Sequence, residues 1–157
     1  HGRASDRVLS RGDMVVVDFG ATAAGYHSDT TRTIVVGEPT PEQARVIEAV
    51  RSAQLASIAL MKPGETADEI DRRAREVLAG EEHAFGHGLG HGIGLQVHER
   101  PYLSPTDHTA LRAGMVITNE PGIYIPGWGG VRVEEMVLIT ESGPEVLTSA
   151  SWEIGIG

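Results

Sequence analysis

Cysteine is absent from these 157 residues. That excludes a disulfide framework, a thiolate metal site and a cysteine nucleophile. Lysine is almost absent as well: Lys62 stands alone among 13 lysines and arginines, which reflects genome composition more simply than function. No apolar run approaches the roughly 18 residues a membrane span needs, and no signal peptide is visible, so a cytoplasmic protein is the default expectation. Linkers, low-complexity tracts and short-period repeats are also missing. So is a starting methionine. The chain opens on His1, and "HGRASDRVLSRGD" reads as a loop already in progress, which suggests a piece of something longer.

What is present fits one ordinary soluble domain. The length allows a real core, and 40% hydrophobic with 22% charged residues is a globular composition. A formal net charge of −9 argues against nucleic acid or an anionic membrane as partner. Part of that charge is what a bound cation would neutralise.

The pattern along the chain predicts an α+β domain. "DMVVVDFG" alternates Met14, Val16 and Asp18 against Val15, Val17 and Phe19, apolar on both faces as in a strand covered on both sides. "YHSDTTRTIVVG" is a second β-rich run beyond the turn-prone "GATAAG", and a hairpin is the simplest reading. Thr40 and Gln43 form a capping box around Pro41, with Ile47, Val50, Ile58 and Met61 on one helical face and "KPG" as the stop. Thr66 and Glu69 open a second helix, with Ile70, Ala74 and Val77 inward and Arg72, Arg73 and Arg75 as a solvated face. "AGMVITNEPGIYIPGWGGVRVEEMVLIT" then supplies two more β-rich runs around Pro/Gly turns.

Between helices and strands lies "FGHGLGHGIGLQVHE", with His87, His91 and His98 among five glycines. Such backbone is costly to order, and it makes sense where chain must pass close to something or aim side chains from an unusual trace. Four carboxylates also sit where apolar residues are expected: Asp18, Asp29, Glu120 and Glu134. A carboxylate facing a buried layer is expensive unless paired or metal-bound. Arg32 and Arg132 are the only arginines nearby on strands, whereas two divalent cations would balance all four. Oxygen-rich ligation with one imidazole suits Mn²⁺, Co²⁺ or Zn²⁺. Taken singly, each residue has a plainer reading: a turn aspartate at Asp18, a cross-strand pair at Glu134, a core histidine at His91. His27, His83 and His108 read as surface or packing residues, and Tyr124 and Trp128 as turn or core.

"VDFGA…YHSDTTRT", "FGHGLGHGIGLQVHE", "NEPGIYIPG" and "GVRVEEMVLIT", in that order, resemble the Xaa-Pro peptidases (prolidases and aminopeptidase P) of the pita-bread metallopeptidases, from His1 to about Leu147. The resemblance implies a curved antiparallel sheet covered by helices, incomplete here at its N-terminal side and without the separate N-terminal domain. It implies Asp18, Asp29, His91, Glu120 and Glu134 as ligands of two cations, with manganese first. Glu135 would point to the opposite face of its strand and is not a ligand. The implied reaction is hydrolysis of an Xaa-Pro bond by a metal-bridging hydroxide, Glu120 shuttling the proton and His87 and His98 stabilising the oxyanion. His98 would also bind substrate, beside His1 and Arg132, the last anchoring Glu134 or the substrate.

The substrate would be a peptide or dipeptide with proline second, and a homodimer is one assembly open to the full-length protein. Methionine aminopeptidase shares the fold and the five ligands, and metal-free pita-bread proteins bind peptides instead. His87 and the arginine of "VRVEE" favour the Xaa-Pro branch. The run "LAGEEHAFG" is shorter than its counterpart, so the entry to the site would differ. With two clear helices to cover a strand apolar on both faces, an open sheet edge and an exposed apolar face are expected, and with them a poorly active or aggregation-prone fragment.

Overall fold

The computed structural model describes residues 6–81, 85–151 and the backbone of 155–156. His1 and His83 lie outside the described residues, as does part of "LAGEEHAFG".

Strand β1 (Met14–Phe19) pairs antiparallel with β4 (Thr30–Val36), placing Asp18 opposite Thr31. The expected hairpin is thus present, but a smaller one, β2 (Thr22–Ala23) and β3 (Tyr26–His27), fills the connection. Its two-residue turn holds Ala24 and Gly25 at φ of 50° and 85°, the left-handed geometry that matches the twist of paired strands. Asp29 falls in the break between β3 and β4.

Helix α1 (Pro41–Ile58) starts at the Thr40/Gln43 capping box, and Gln43 also donates to the Gly12 carbonyl at 2.8 Å. It ends at Ile58, before "KPG", so Met61 lies beyond the helix although its side chain is fully buried. Helix α2 (Ala67–Val77) opens on Thr66/Glu69 in the same way. Val46, Val50 and Ala53 of α1 and Ile70 and Ala74 of α2 are completely buried. Each large aliphatic side chain so enclosed is worth about 1.5–3 kcal/mol.

Seven further strands follow the helices: β5 (Gly90–Gly92), β6 (Glu99–Leu103), β7 (Val116–Asn119), β8 (Gly122–Ile125), β9 (Gly129–Arg132), β10 (Glu135–Thr140) and β11 (Gly143–Val146). A two-residue strand, β12 (Gly155–Ile156), adds parallel to β4. The main sheet has the order β11-β10-β7-β5-β6, and β8-β9 form a separate hairpin. The two long runs expected after the Gly/His segment are therefore each broken. Pro121 removes a donor at one break, and both chains pass there from the main sheet into the β8-β9 hairpin. Glu120 and Glu134 occupy the two crossing points.

Alternation along β7 separates core from site. Asn119 turns to α1, bonded to Ser57 at 2.9 Å, while Thr118 turns the other way and accepts from the His91 amide at 3.0 Å. Gly90 explains part of the glycine content: a Cβ there would stand 2.0 Å from the Thr118 carbonyl oxygen. The backbone does pass close to something, namely its neighbouring strand. On the outer side, β1 is an edge strand whose valines are only half-buried; Phe19 is 53% and Val8 83% exposed. Among the described residues, "MVVVDFG" is therefore only partly covered, Met14 packing on the core while the outer side stays open. No helix of the described residues is long and apolar enough to cross a membrane.

Candidate metal centre

An open cavity of about 1200 Å³ is lined by Asp18, Asp29, His91, Glu120 and Glu134 together, with His98 and Arg132 on its wall. The five come from separate places: the C-terminal end of β1, the β3–β4 break, β5 and the two sheet-crossing points. Ligand atoms of Asp29, His91 and Glu134 lie within 4.8 Å of one another. His91 Nε2 stands 3.3 Å from Glu120 Oε1 and 3.9 Å from Asp29 Oδ2.

The local hydrogen bonds aim these groups. His91 Nδ1 lies 3.0 Å from the Gly92 carbonyl, an acceptor, so Nδ1 carries a proton and Nε2 faces the carboxylates. Thr31 donates to Glu134 Oε2 at 2.6 Å, and the Glu134 amide donates to the Thr31 carbonyl at 3.0 Å. Arg32 binds the Glu134 carbonyl at 2.8 Å and pairs with buried Glu135 at 2.7 Å. Glu135 accordingly faces away from the cavity, as the strand period requires. The Glu120 amide donates to the Leu89 carbonyl at 2.7 Å.

Electrostatics mark the same spot. Burial, then the charge of Glu120, pushes the Glu134 carboxyl up to about 8, with Asp29 and Asp18 adding to the effect. Burial likewise raises Asp29, helped by Asp18. For His91, burial works downward, but the hydrogen bonds to Glu120 and the Gly92 carbonyl and the nearby carboxylates hold it above its usual value.

The donor set fits divalent cations. Glu134 is 2% exposed and its Oε1 has no hydrogen-bond partner, an expensive state for a carboxylate unless a cation takes that lone pair. Four carboxylates share the cavity with Arg132, and the other arginine on its wall, Arg7, pairs with Asp13 at 2.7 Å. Asp18, Asp29, Glu120, Glu134 and neutral His91 would hold cations of the hard or borderline kind.

Other expectations require correction. Arg132 does not anchor Glu134: its guanidinium contacts Asp18, stands 3.8 Å from Glu120 and donates to the Tyr124 hydroxyl at 3.3 Å. Strand β9 packs against β1, which brings Arg132 to Asp18. Tyr124 is not a turn or core residue only; it lines the cavity and bonds His87 Nε2 at 3.1 Å. The signal was in "GIYI", where Tyr124 alternates with fully buried Ile123. His27 lines the cavity too, its Nδ1 3.3 Å from the Gly94 carbonyl. Trp128 packs on the core. His98 is exposed, its ring 4.3 Å from that of His91. His87 lies in an adjoining hollow of about 620 Å³ that shares His91, His98, Glu120, Tyr124 and Arg132 with the first. Arg75 is no part of a solvated face, since its guanidinium is spent on Asp71 and on the carbonyls of Phe85 and His87.

A helix-covered antiparallel sheet with a carboxylate–histidine cluster at its strand breaks is the architecture of the pita-bread peptidases. Residues 1–141 match the model of metallopeptidase family M24, and the chain belongs to that family. It is similar to a Xaa-Pro dipeptidase of Pyrococcus furiosus, 51% identical over 158 residues, covering 98% of this chain and 45% of that protein. An uncharacterized peptidase of Bacillus subtilis is 45% identical, with 98% and 44% covered. Among solved structures, a prolidase from Pyrococcus furiosus superposes with a TM-score of 0.92 at 52% identity, covering 96% of this chain and 45% of that one. An X-Pro aminopeptidase from Thermotoga maritima gives 0.95 at 43% identity, covering 99% and 45%. The chain thus spans under half the length of these relatives.

Proposed function

We propose that this chain carries the catalytic centre of a metal-dependent peptidase that hydrolyses the bond between a first residue and proline. The convergence of Asp18, Asp29, His91, Glu120 and Glu134 on one cavity is the observation that carries the reading. The proline specificity is supported by the relatives named Xaa-Pro dipeptidase, and His87 and Arg132 favour this branch over methionine aminopeptidases. A metal-free peptide-binding role is disfavoured because every ligand position keeps a ligand residue.

The five residues would hold two divalent cations, manganese first, with cobalt or zinc as substitutes. Bound cations of this kind acidify water and polarise a carbonyl. Glu120, in reach of His91 and facing open cavity, accepts the proton of the attacking water and passes it to the leaving proline nitrogen. His98, on the wall the two hollows share, and His87, in the second, donate to the developing oxyanion. Arg132, set by Tyr124 and Asp18, orients the substrate. His1 is proposed as a further substrate contact.

The test is hydrolysis of Ala-Pro, Ala-Pro-Ala and Met-Ala-Ser by the intact protein supplied with Mn²⁺. Cleavage of Ala-Pro, abolished by chelator and restored by Mn²⁺, is the expected result. Preference for Ala-Pro-Ala would favour an aminopeptidase, as the Thermotoga maritima neighbour is named. Cleavage of Met-Ala-Ser alone, or of none of the three with Mn²⁺, Co²⁺ or Zn²⁺, would refute the proposal.

A further inference from the structure

Helix α2 turns one of its charged pairs inward. On its exposed side Arg72 contacts Glu76 in ordinary i,i+4 fashion. One step round, Asp71 is 1% exposed and takes two N–H groups of Arg75, at 2.6 and 3.0 Å. The same guanidinium donates to the Phe85 carbonyl at 2.8 Å and to the His87 carbonyl at 2.7 Å, and lies 4.3 Å over the Phe85 ring. Asp71 Oδ1 meanwhile accepts from the Leu89 amide at 3.1 Å. Three backbone groups are thereby captured, and they bracket one residue, His87. Its neighbours are Gly86 and Gly88, whose backbone is permissive, and the local chain itself holds only the ring, through Nδ1 on the Gly88 carbonyl and the nearby Phe85 ring.

We propose that Asp71 and Arg75 are positioning residues for His87, holding its imidazole at the hollow next to His91 although neither lines either hollow. The proposal rests on the reading of His87 as a donor to the reacting carbonyl. The planar fork of arginine suits the task because four N–H bonds to one carboxylate and two carbonyls must leave a single rigid group. The ring itself is set by Nδ1 donating to the Gly88 carbonyl at 2.7 Å and by Nε2 on the Tyr124 hydroxyl at 3.1 Å, the contact that a substrate carbonyl would replace.

A misplacement of about 1 Å in a reacting group lowers turnover by up to about 100-fold. In the intact protein, Arg75→Met is expected to lower kcat/KM for Ala-Pro by about 10- to 100-fold while leaving the Mn²⁺ affinity measured by calorimetry unchanged. In a His87→Ala background the same substitution should add less than about twofold, because the group it positions is already gone. NMR of the His87 imidazole, assigned by its loss in His87→Ala, should broaden or split in Arg75→Met. Asp71→Asn should show the same pattern and serves if Arg75→Met does not fold. Equal losses in both backgrounds, loss of Mn²⁺ binding, or an unaltered His87 signal would overturn the proposal. If the parent cleaves no Xaa-Pro peptide, the function reading fails, and the imidazole signal alone then decides the positioning role.

Discussion

Without metal, the protein should lose stability as pH rises from about 5 to 9, an unusual direction for an acidic protein with many surface ion pairs. The Glu134 carboxyl moves from 4.5 to about 8 on folding. Below 4.5 it is protonated in both folded and unfolded chains. Between those values the folded state binds more protons than the unfolded state, so stability declines with pH and is lost as pH passes the folded value. At about 1.36 kcal/mol per unit, the span is worth up to about 5 kcal/mol. Asp29, His91 and Glu135 are also raised and act in the same direction. Asp13, Asp68 and Asp107 are lowered by their hydrogen bonds, so their contribution is lost only on the acid side, as pH falls through the low carboxylate range. Urea unfolding of the intact protein in chelator, followed by tryptophan fluorescence from pH 5 to 9, reads the effect. The midpoint should fall from pH 5 and level off once pH passes about 8. Glu134→Gln should flatten the profile, and added Mn²⁺ should raise the midpoint more at pH 8 than at pH 6, because ligands must be deprotonated to bind. A metal-free profile that is flat or rising, or a Glu134→Gln variant with the parent's slope, would refute the reasoning.

Two other outcomes follow from the site's geometry. His91→Ala should weaken Mn²⁺ binding by at least about 100-fold, whereas His98→Ala should keep the metal and lower turnover by about 100- to 1000-fold; calorimetric titration beside Ala-Pro kinetics separates them, and equal metal loss would sink the distinction. Gly90→Ala, whose Cβ would meet the Thr118 carbonyl at 2.0 Å, should destabilise by about 3 kcal/mol in urea unfolding, while Gly86→Ala, with nothing within 4 Å, should stay within about 0.5 kcal/mol.

Much of the local chemistry was legible along the chain. The capping boxes at Thr40 and Thr66, the alternation through Met14–Phe19 and the glycine-rich histidine segment each depend on residues within a few positions of one another. Four candidate ligands were legible for a related reason: a carboxylate in an apolar pattern is costly wherever the chain folds, and four of them outnumber the two arginines on nearby strands; His91 came from the resemblance of its glycine-rich motif. Tertiary structure alone decided who those arginines meet. Arg32 spends itself on Glu135 and the Glu134 carbonyl, and Arg132 on Asp18, because the strands break at Glu120 and Glu134 and cross between sheets, which no period-2 pattern encodes. The inward turn of Asp71 and Arg75 was equally hidden. On an isolated helix an i,i+4 Asp/Arg pair reads as solvent-facing, and only the return of Phe85–Leu89 across α2 gives that guanidinium two carbonyls to hold. Sequence spacing reports which groups need a partner, and long-range packing chooses the partner, because a hydrogen bond is set by distance in space and not by distance along the chain.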